Sequence, residues 1–302
     1  METVHPTLSF FQAIVMGIVQ GVTELFPISS LGHGVLIPAL LGWHNLVSTQ
    51  SANQNFFLVF LIGLHVGTAL GLVVYYRRTW YELFRGLVIQ LGRTRDEGVS
   101  SLWRLNEHTL DQKYRLLALL AIGSIPVGVV GILLQNKLRE LFAKPLAAAI
   151  FLTINGLILL GGEALRRGRG RHASVEKLDT MTPKSALAVG SAQILALLAG
   201  ISRSGVTMVT GLLDGLDHED AANFAFLLAT PVILLAGLYK LPELFGPLGQ
   251  GVRVQTLVGA LFAMGTAYLA VRFLTRWFQT RTLRPFAIYC LVAGLLCVIR
   301  FA

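Results

Sequence analysis

From Leu25 to Tyr76 the chain contains no aspartate, glutamate, lysine or arginine. About 20 apolar residues already cross the hydrocarbon of a bilayer, so a run this long must be buried in lipid or among other apolar helices. Composition agrees: 14% of residues are charged and 54% hydrophobic, where a soluble domain carries roughly 25% charged residues. The expected class is an all-α polytopic membrane protein, a single membrane domain over residues 1–302. In a soluble chain, the formal net charge of +9 would suggest nucleic acid. Here Lys and Arg are expected to mark cytoplasmic loops, and no nucleic-acid partner is expected. The N-terminus lacks the basic stretch of a cleavable signal, so the first apolar segment is expected to stay. Cys290 and Cys297, the two cysteines, would lie about 10 Å apart along one helix. That is beyond disulfide reach, and both read as packing residues.

Six stretches are long enough to cross, at about 54–76, 115–136, 145–165, 221–242, 253–274 and 285–302. Two further apolar regions, about 8–47 and 184–217, are each interrupted by a Pro/Gly/Ser knot. Broken helices are tolerated at membrane depth where they line a protected polar cavity, so both regions are expected to be re-entrant hairpins. Segments 77–115, 166–184 and 272–284 hold eight, six and four Lys/Arg, whereas 45–53, 136–145 and 240–253 hold none, three and two. The rich segments are therefore expected inside and the poor ones outside. This parity requires that neither hairpin crosses completely, and it leaves both termini outside.

The two interrupted regions are related. A shift of 173 residues carries Gly17, Gln20, Ile28, Ser29 and Gly32 onto Gly190, Gln193, Ile201, Ser202 and Gly205. Each half, about 8–165 and 184–302, would be one hairpin followed by three crossings. Three is odd, so the halves would have opposite orientations, with the hairpin tips meeting near the midplane. That is the inverted-repeat arrangement of many transporters, with the site at the repeat interface.

The first knot runs Gln20-Gly-Val-Thr-Glu24-Leu-Phe-Pro27-Ile-Ser29-Ser30-Leu-Gly32-His33. It gathers a carboxylate, two hydroxyls and an imidazole within an apolar region, and an ionisable group at that depth is by default functional. The plainer reading places Glu24 at the water interface, with Ser29 and Ser30 capping a helix. The second knot runs Ala199-Gly200-Ile-Ser202-Arg203-Ser204-Gly205-Val-Thr207. A Gly-Ser-Arg-Ser turn opening a helix aims backbone N–H groups at an anion, and the planar fork of Arg suits phosphate oxygens. The plainer reading pairs Arg203 with Glu24 as a structural salt bridge. Together the tips suggest phosphate donors facing a carboxylate, which requires either a divalent cation or a general-base role for Glu24. His65, inside a span, reads as a packed or hydrogen-bonded histidine, or one lining the cavity. Asp214, Asp217 and His218 read as helix-end residues.

Over nearly the whole chain the sequence resembles the bacterial undecaprenyl-diphosphate phosphatases, integral membrane enzymes associated with bacitracin resistance. The resemblance rests on (Glu/Gln)-Gly-x-Thr-Glu-x-x-Pro-x-Ser-Ser-x-Gly-His, matched by Gln20–His33, and Gly-x-Ser-Arg-Ser-Gly-x-Thr, matched by Gly200–Thr207. Ile125-Pro126 and Phe226–Pro231 read like the family too. The resemblance implies Glu24, Ser30, His33 and Arg203 as the catalytic set, with Ser29, Gly200, Ser202, Ser204 and Thr207 on phosphate. It implies hydrolysis of undecaprenyl diphosphate to the monophosphate carrier lipid and phosphate, for cell-wall polysaccharide synthesis. A divalent cation, Mg²⁺ or Ca²⁺, is expected at Glu24 and Gln20. Gln20 stands where many members have glutamate, and Ala199 where proline is usual. The expected setting is the bacterial cytoplasmic (inner) membrane, with membrane lipids around the protein, the site opening to the periplasm, and a homodimer as candidate assembly. The competing class is a transporter or flippase of polyprenyl phosphate or another anion.

Overall fold

The computed structural model describes residues 8–43, 46, 56–103, 105, 111–142, 144–168 and 178–302. Helices run in the order α1 Phe10–Thr23, α2 Ser30–Leu40, α3 Phe56–Tyr75, α4 Arg77–Glu97, α5 Gln112–Phe142, α6 Pro145–Gly168, α7 Pro183–Ala192, α8 Arg203–Asp214, α9 His218–Phe245, α10 Arg253–Trp277 and α11 Arg284–Phe301. No β-strand occurs among the described residues. Six of these helices, α3, α5, α6, α9, α10 and α11, are long and apolar enough to cross a membrane, the same six that the sequence marks. The class is an all-α polytopic membrane protein. Leu133, Leu269 and Ile299 on their outer faces are 75%, 62% and 78% exposed, the surface that lipid rather than water would cover.

Small residues let the backbones approach, as membrane helix packing requires. Gly63, Gly67 and Gly71 line one face of α3 against α10, and a Cβ at Gly67 would lie 2.2 Å from the Ala260 carbonyl oxygen. Prolines sit inside α5 (Pro126) and α9 (Pro231, Pro242).

The interrupted regions each fold as two short helices that pack on one another, α1 with α2 and α7 with α8. Ser9 caps α1 with a complete capping box to Gln12, and Thr182 caps α7, donated to by the Ser185 amide. The α1 end lies with Leu46, Phe56 and Val252 in one apolar cluster. The start of α7 lies at the opposite end of the bundle, where the Met181 carbonyl accepts from Arg115. There Glu163 Oε1 accepts from the Leu283 amide at 2.8 Å and from His218 Nε2 at 2.7 Å, and Gln279 Nε2 reaches Glu219 at 3.3 Å. The described parts of the three basic-rich segments thus gather at one end. The connection 45–53 lies outside the described residues apart from Leu46, as does Arg169.

One segment read as a cytoplasmic loop contains a helix. In α4, Leu83, Gly86 and Gln90 turn one face inward, against α5, while Tyr81, Phe84 and Val88 remain exposed. The 3.6-residue period was present there but masked by arginines. Cys290 and Cys297 are both buried free thiols, as packing residues should be.

Candidate active site

Helices α2 and α8 begin face to face at the meeting of the two knots. Ser29 caps α2 by accepting the Gly32 amide at 3.2 Å, and Ser202 caps α8 by accepting the Gly205 amide at 3.2 Å. These four residues are the pairs related by the sequence shift. The tips touch: a Cβ at Gly32 would sit 2.9 Å from Gly200 Cα. Ser29 Oγ also accepts the Gly200 amide at 3.1 Å, joining the knots directly. Its backbone carries the cost, with φ of 70°, a conformation that costs a non-glycine residue about 1–3 kcal/mol and clusters at functional sites. Gly200 has φ of 114°, and a Cβ there would strike the Ala148 carbonyl oxygen at 2.4 Å. Behind the contact, Asn155 Nδ2 donates to the Pro27 carbonyl at 3.0 Å and its Oδ1 accepts the Ser202 amide at 2.9 Å. A single buried amide therefore holds both turns in register.

First-turn N–H groups lack carbonyl partners within their helix, and the dipole favours negative charge there. Two such termini converge on a cavity of about 320 Å³, lined at its polar end by Glu24, Ser29, Ser30, His65, Ser202 and Arg203. Glu24 is the centre of this end. Arg203 Nη2 donates to its Oε1 at 3.0 Å; Gln20 Nε2 donates to Oε2 at 3.0 Å; Ser30 Oγ donates to the same oxygen; and His65 Nε2 lies 3.4 Å from it. His65 Nδ1 is 2.8 Å from the Leu61 carbonyl oxygen. Since a carbonyl only accepts, Nδ1 carries a proton.

The salt bridge of the plainer reading is therefore present, but it does not use up the arginine. Arg203 Nη1 is buried with no hydrogen-bond partner among the described residues. A buried unpaired guanidinium donor is costly, and an anion in the cavity would satisfy it. Of the residues assigned to phosphate, Ser29 and Ser202 line the cavity. Ser204 Oγ instead donates to the Phe26 carbonyl at 3.3 Å, and Thr207 Oγ1 donates to the Arg203 carbonyl at 2.8 Å. Gly200 supplies the turn. His33 stands behind the site rather than in it. Its Nδ1 lies 2.7 Å from the Ser29 carbonyl oxygen and its Nε2 2.8 Å from Tyr289 Oη. The carbonyl fixes the Nδ1 proton, so Nε2 accepts from the tyrosine. Asp217 caps α9, accepting the Asp220 amide at 2.7 Å, while His218 is paired with Glu163.

Among the described residues no three His, Cys, Asp or Glu side chains are grouped to hold a metal. Glu24 and Ser30 nevertheless bring a carboxylate and a hydroxyl together at the cavity, oxygen donors of the kind a hard cation takes, while Gln20 turns its amide nitrogen toward Glu24.

Fold and site together define a polytopic membrane protein in which two helix N-termini and a buried carboxylate–hydroxyl pair converge on one cavity. The chain belongs to the bacitracin resistance protein BacA family, whose profile matches residues 13–296. It is 49% identical to an undecaprenyl-diphosphatase of Mycolicibacterium paratuberculosis over 95% of both chains. It is 47% identical to undecaprenyl-diphosphatase 2 of Frankia alni over 98% of both, and 41% identical to undecaprenyl-diphosphatase 2 of Burkholderia orbicola over 96% of both.

Proposed function

We propose that the protein hydrolyses undecaprenyl diphosphate, releasing inorganic phosphate and returning the monophosphate lipid to cell-wall polysaccharide synthesis. Kinship with named diphosphatases over nearly the full chain supports this reading. The observation that carries it is the Ser30 hydroxyl hydrogen-bonded to the Glu24 carboxylate beside a guanidinium with an open donor. A nucleophile activated by an adjacent base and facing an anion site is the recurrent arrangement of covalent catalysis. Anion transport alone needs no such base, and the flippase reading has no observation of its own here.

In the proposed chemistry, Glu24 takes the Ser30 proton as Oγ attacks the terminal phosphorus and the P–O bond to the lipid monophosphate breaks. The Arg203 fork and the two helix N-termini stabilise the equatorial oxygens of the transferring group. Glu24 passes the Ser30 proton to the departing lipid monophosphate; water then attacks the serine phosphoester, giving a proton to Glu24, which returns it to Ser30 Oγ as phosphate leaves. His33 acts by position: its Nδ1–H holds the carbonyl of strained Ser29. When bound, Mg²⁺ or Ca²⁺ on Glu24 and Gln20 would neutralise phosphate charge.

The two hairpins and their following spans are best read as inverted repeats, residues 8–165 and 184–302. The matched caps support this. So do Gly17, whose Cβ would meet the Gly259 carbonyl on α10, and Gly190, whose Cβ would meet that of Gly123 on α5. Each hairpin thus packs on the second span of the other half. Excess Lys/Arg at one end supports placing that end in the cytoplasm of the inner membrane, with both termini and the cavity mouth on the periplasmic side. A homodimer is compatible with this arrangement.

The reading is tested by phosphate release from undecaprenyl diphosphate by the purified protein. Release by wild type and its loss in Ser30→Ala is the expected result. Equal release by both would remove Ser30 from the chemistry.

A further inference from the structure

The cavity has a second charged pair. Beyond its apolar walls, built by residues such as Phe57, Leu61 and Ile233, it is also lined by Lys240 and Glu243. Lys240 Nζ lies 2.6 Å from Glu243 Oε1, with the side chains 20% and 33% exposed. Their level along the bundle follows from α9. A Cβ at Gly237 would lie 2.5 Å from Val66 Cγ2, so Gly237 sits beside the residue next to His65. Lys240 follows one turn later, about 4.5 Å along the axis, and its side chain is long enough to reach back over that distance.

Charge balance makes a demand of this cavity. Its lining carboxylates are Glu24 and Glu243 and its permanent cations are Arg203 and Lys240, each cation paired with one carboxylate. With both pairs closed, the permanent side-chain charges of the lining cancel and none is left over for a diphosphate. One guanidinium with a single open edge matches one phosphate group, and two phosphate groups call for a second cation. Lys240 is the other permanent cation on the same wall.

Resting on the proposed function, we propose that Lys240 is a substrate-binding residue that takes the lipid-linked phosphate while Arg203 takes the terminal one. On binding, the substrate displaces Glu243 from Lys240, while Arg203 keeps Glu24 on one edge and takes the terminal phosphate on the other. A monophosphate lipid keeps the contact to Lys240 and loses the one to Arg203, so Lys240 positions the terminal phosphate of the substrate and the product leaves with one contact fewer.

The test uses the whole 302-residue chain in detergent, with farnesyl diphosphate as substrate and farnesyl phosphate, inorganic diphosphate and inorganic phosphate as competing ligands. In Lys240→Met, KM for farnesyl diphosphate should rise about tenfold, the size of one charge-assisted contact, with a much smaller change in kcat. Inhibition by inorganic diphosphate and by farnesyl phosphate, whose one phosphate is lipid-linked, should weaken by a similar factor, and inhibition by inorganic phosphate, which Arg203 can hold alone, should not change. Lys240→Arg should restore KM. Glu243→Gln should lower it, a gain that a purely structural ion pair would not give. An unchanged KM in Lys240→Met, or a weakening toward inorganic phosphate equal to that toward inorganic diphosphate, would overturn the proposal. Calorimetric binding of inorganic diphosphate to the same variants reads Lys240 without turnover. If wild type binds diphosphate through Lys240 but releases no phosphate, it is the proposed hydrolysis that fails.

Discussion

Glu24 accepts hydrogen bonds from Gln20, Ser30 and Arg203 and has His65 Nε2 3.4 Å away, so no single substitution there is neutral. Glu24→Gln keeps the shape and most of the hydrogen bonding while removing the base. General-base catalysis contributes about 10²–10⁴-fold, so kcat should fall at least a hundredfold with a normal melting temperature; retention of a tenth of activity would dismiss Glu24 as the base. Arg203→Lys should be nearly as damaging as Arg203→Ala, because a point charge cannot hold Glu24 and an anion through two edges of one plane. Near-normal turnover in Arg203→Lys would exclude the two-edged role. The motif residues were legible in the sequence because they concentrate polarity where apolar residues should be. Asn155 and His65 were harder to see: each is one polar residue in a span, which sequence alone cannot tell from a satisfied core residue. Tyr289, whose hydroxyl meets His33, gave no signal at all, since the two lie 256 positions apart.

At the scale of elements, apolar length and charge boundaries located the six spans well. Ser29 was read both as a cap and as a phosphate ligand and Ser202 as a phosphate ligand, and geometry gives each a cap and a place on the cavity wall. Helix α4 was missed because arginines interrupt the apolar stripe that packs on α5. The tip contact leaves no room for added atoms. In Gly32→Ala, a methyl 2.9 Å from Gly200 Cα must push the tips apart, and catalytic geometry tolerates displacements of only about 0.5 Å. Activity should drop at least tenfold while the protein still inserts and purifies as a folded monodisperse species. Full activity would show that the tips do not need their close approach. Orientation has its own check: Arg281→Cys should resist labelling from outside intact cells, and efficient labelling there would invert the topology argued from the basic loops.

For the whole molecule, parity of crossings and the weak internal repeat led to two hairpins meeting tip to tip, and the caps at Gly32 and Gly205 give that meeting atomic detail. What sequence could not reveal was the depth and lining of the cavity, because its walls draw residues from distant helices, Phe57 of α3 and Ile233 of α9 among them. Metal dependence also belongs to this scale, as a cation would bridge both halves through the substrate. Chelation with EDTA should abolish turnover and Mg²⁺ or Ca²⁺ should restore it, with Gln20→Glu tightening the apparent metal affinity by adding a second carboxylate one turn from Glu24. Full activity after thorough chelation would leave Glu24 acting without metal.

The central claim is that a serine–carboxylate pair at the meeting of two helix N-termini cleaves a lipid diphosphate. The direct measurement is inorganic phosphate released from undecaprenyl diphosphate by purified wild type, Ser30→Ala and Glu24→Gln in detergent. With no second compartment present, transport cannot contribute. We expect stoichiometric phosphate and monophosphate lipid from wild type and at least a hundredfold less from either variant. Absence of release by folded wild type, or equal release by all three, would contradict it.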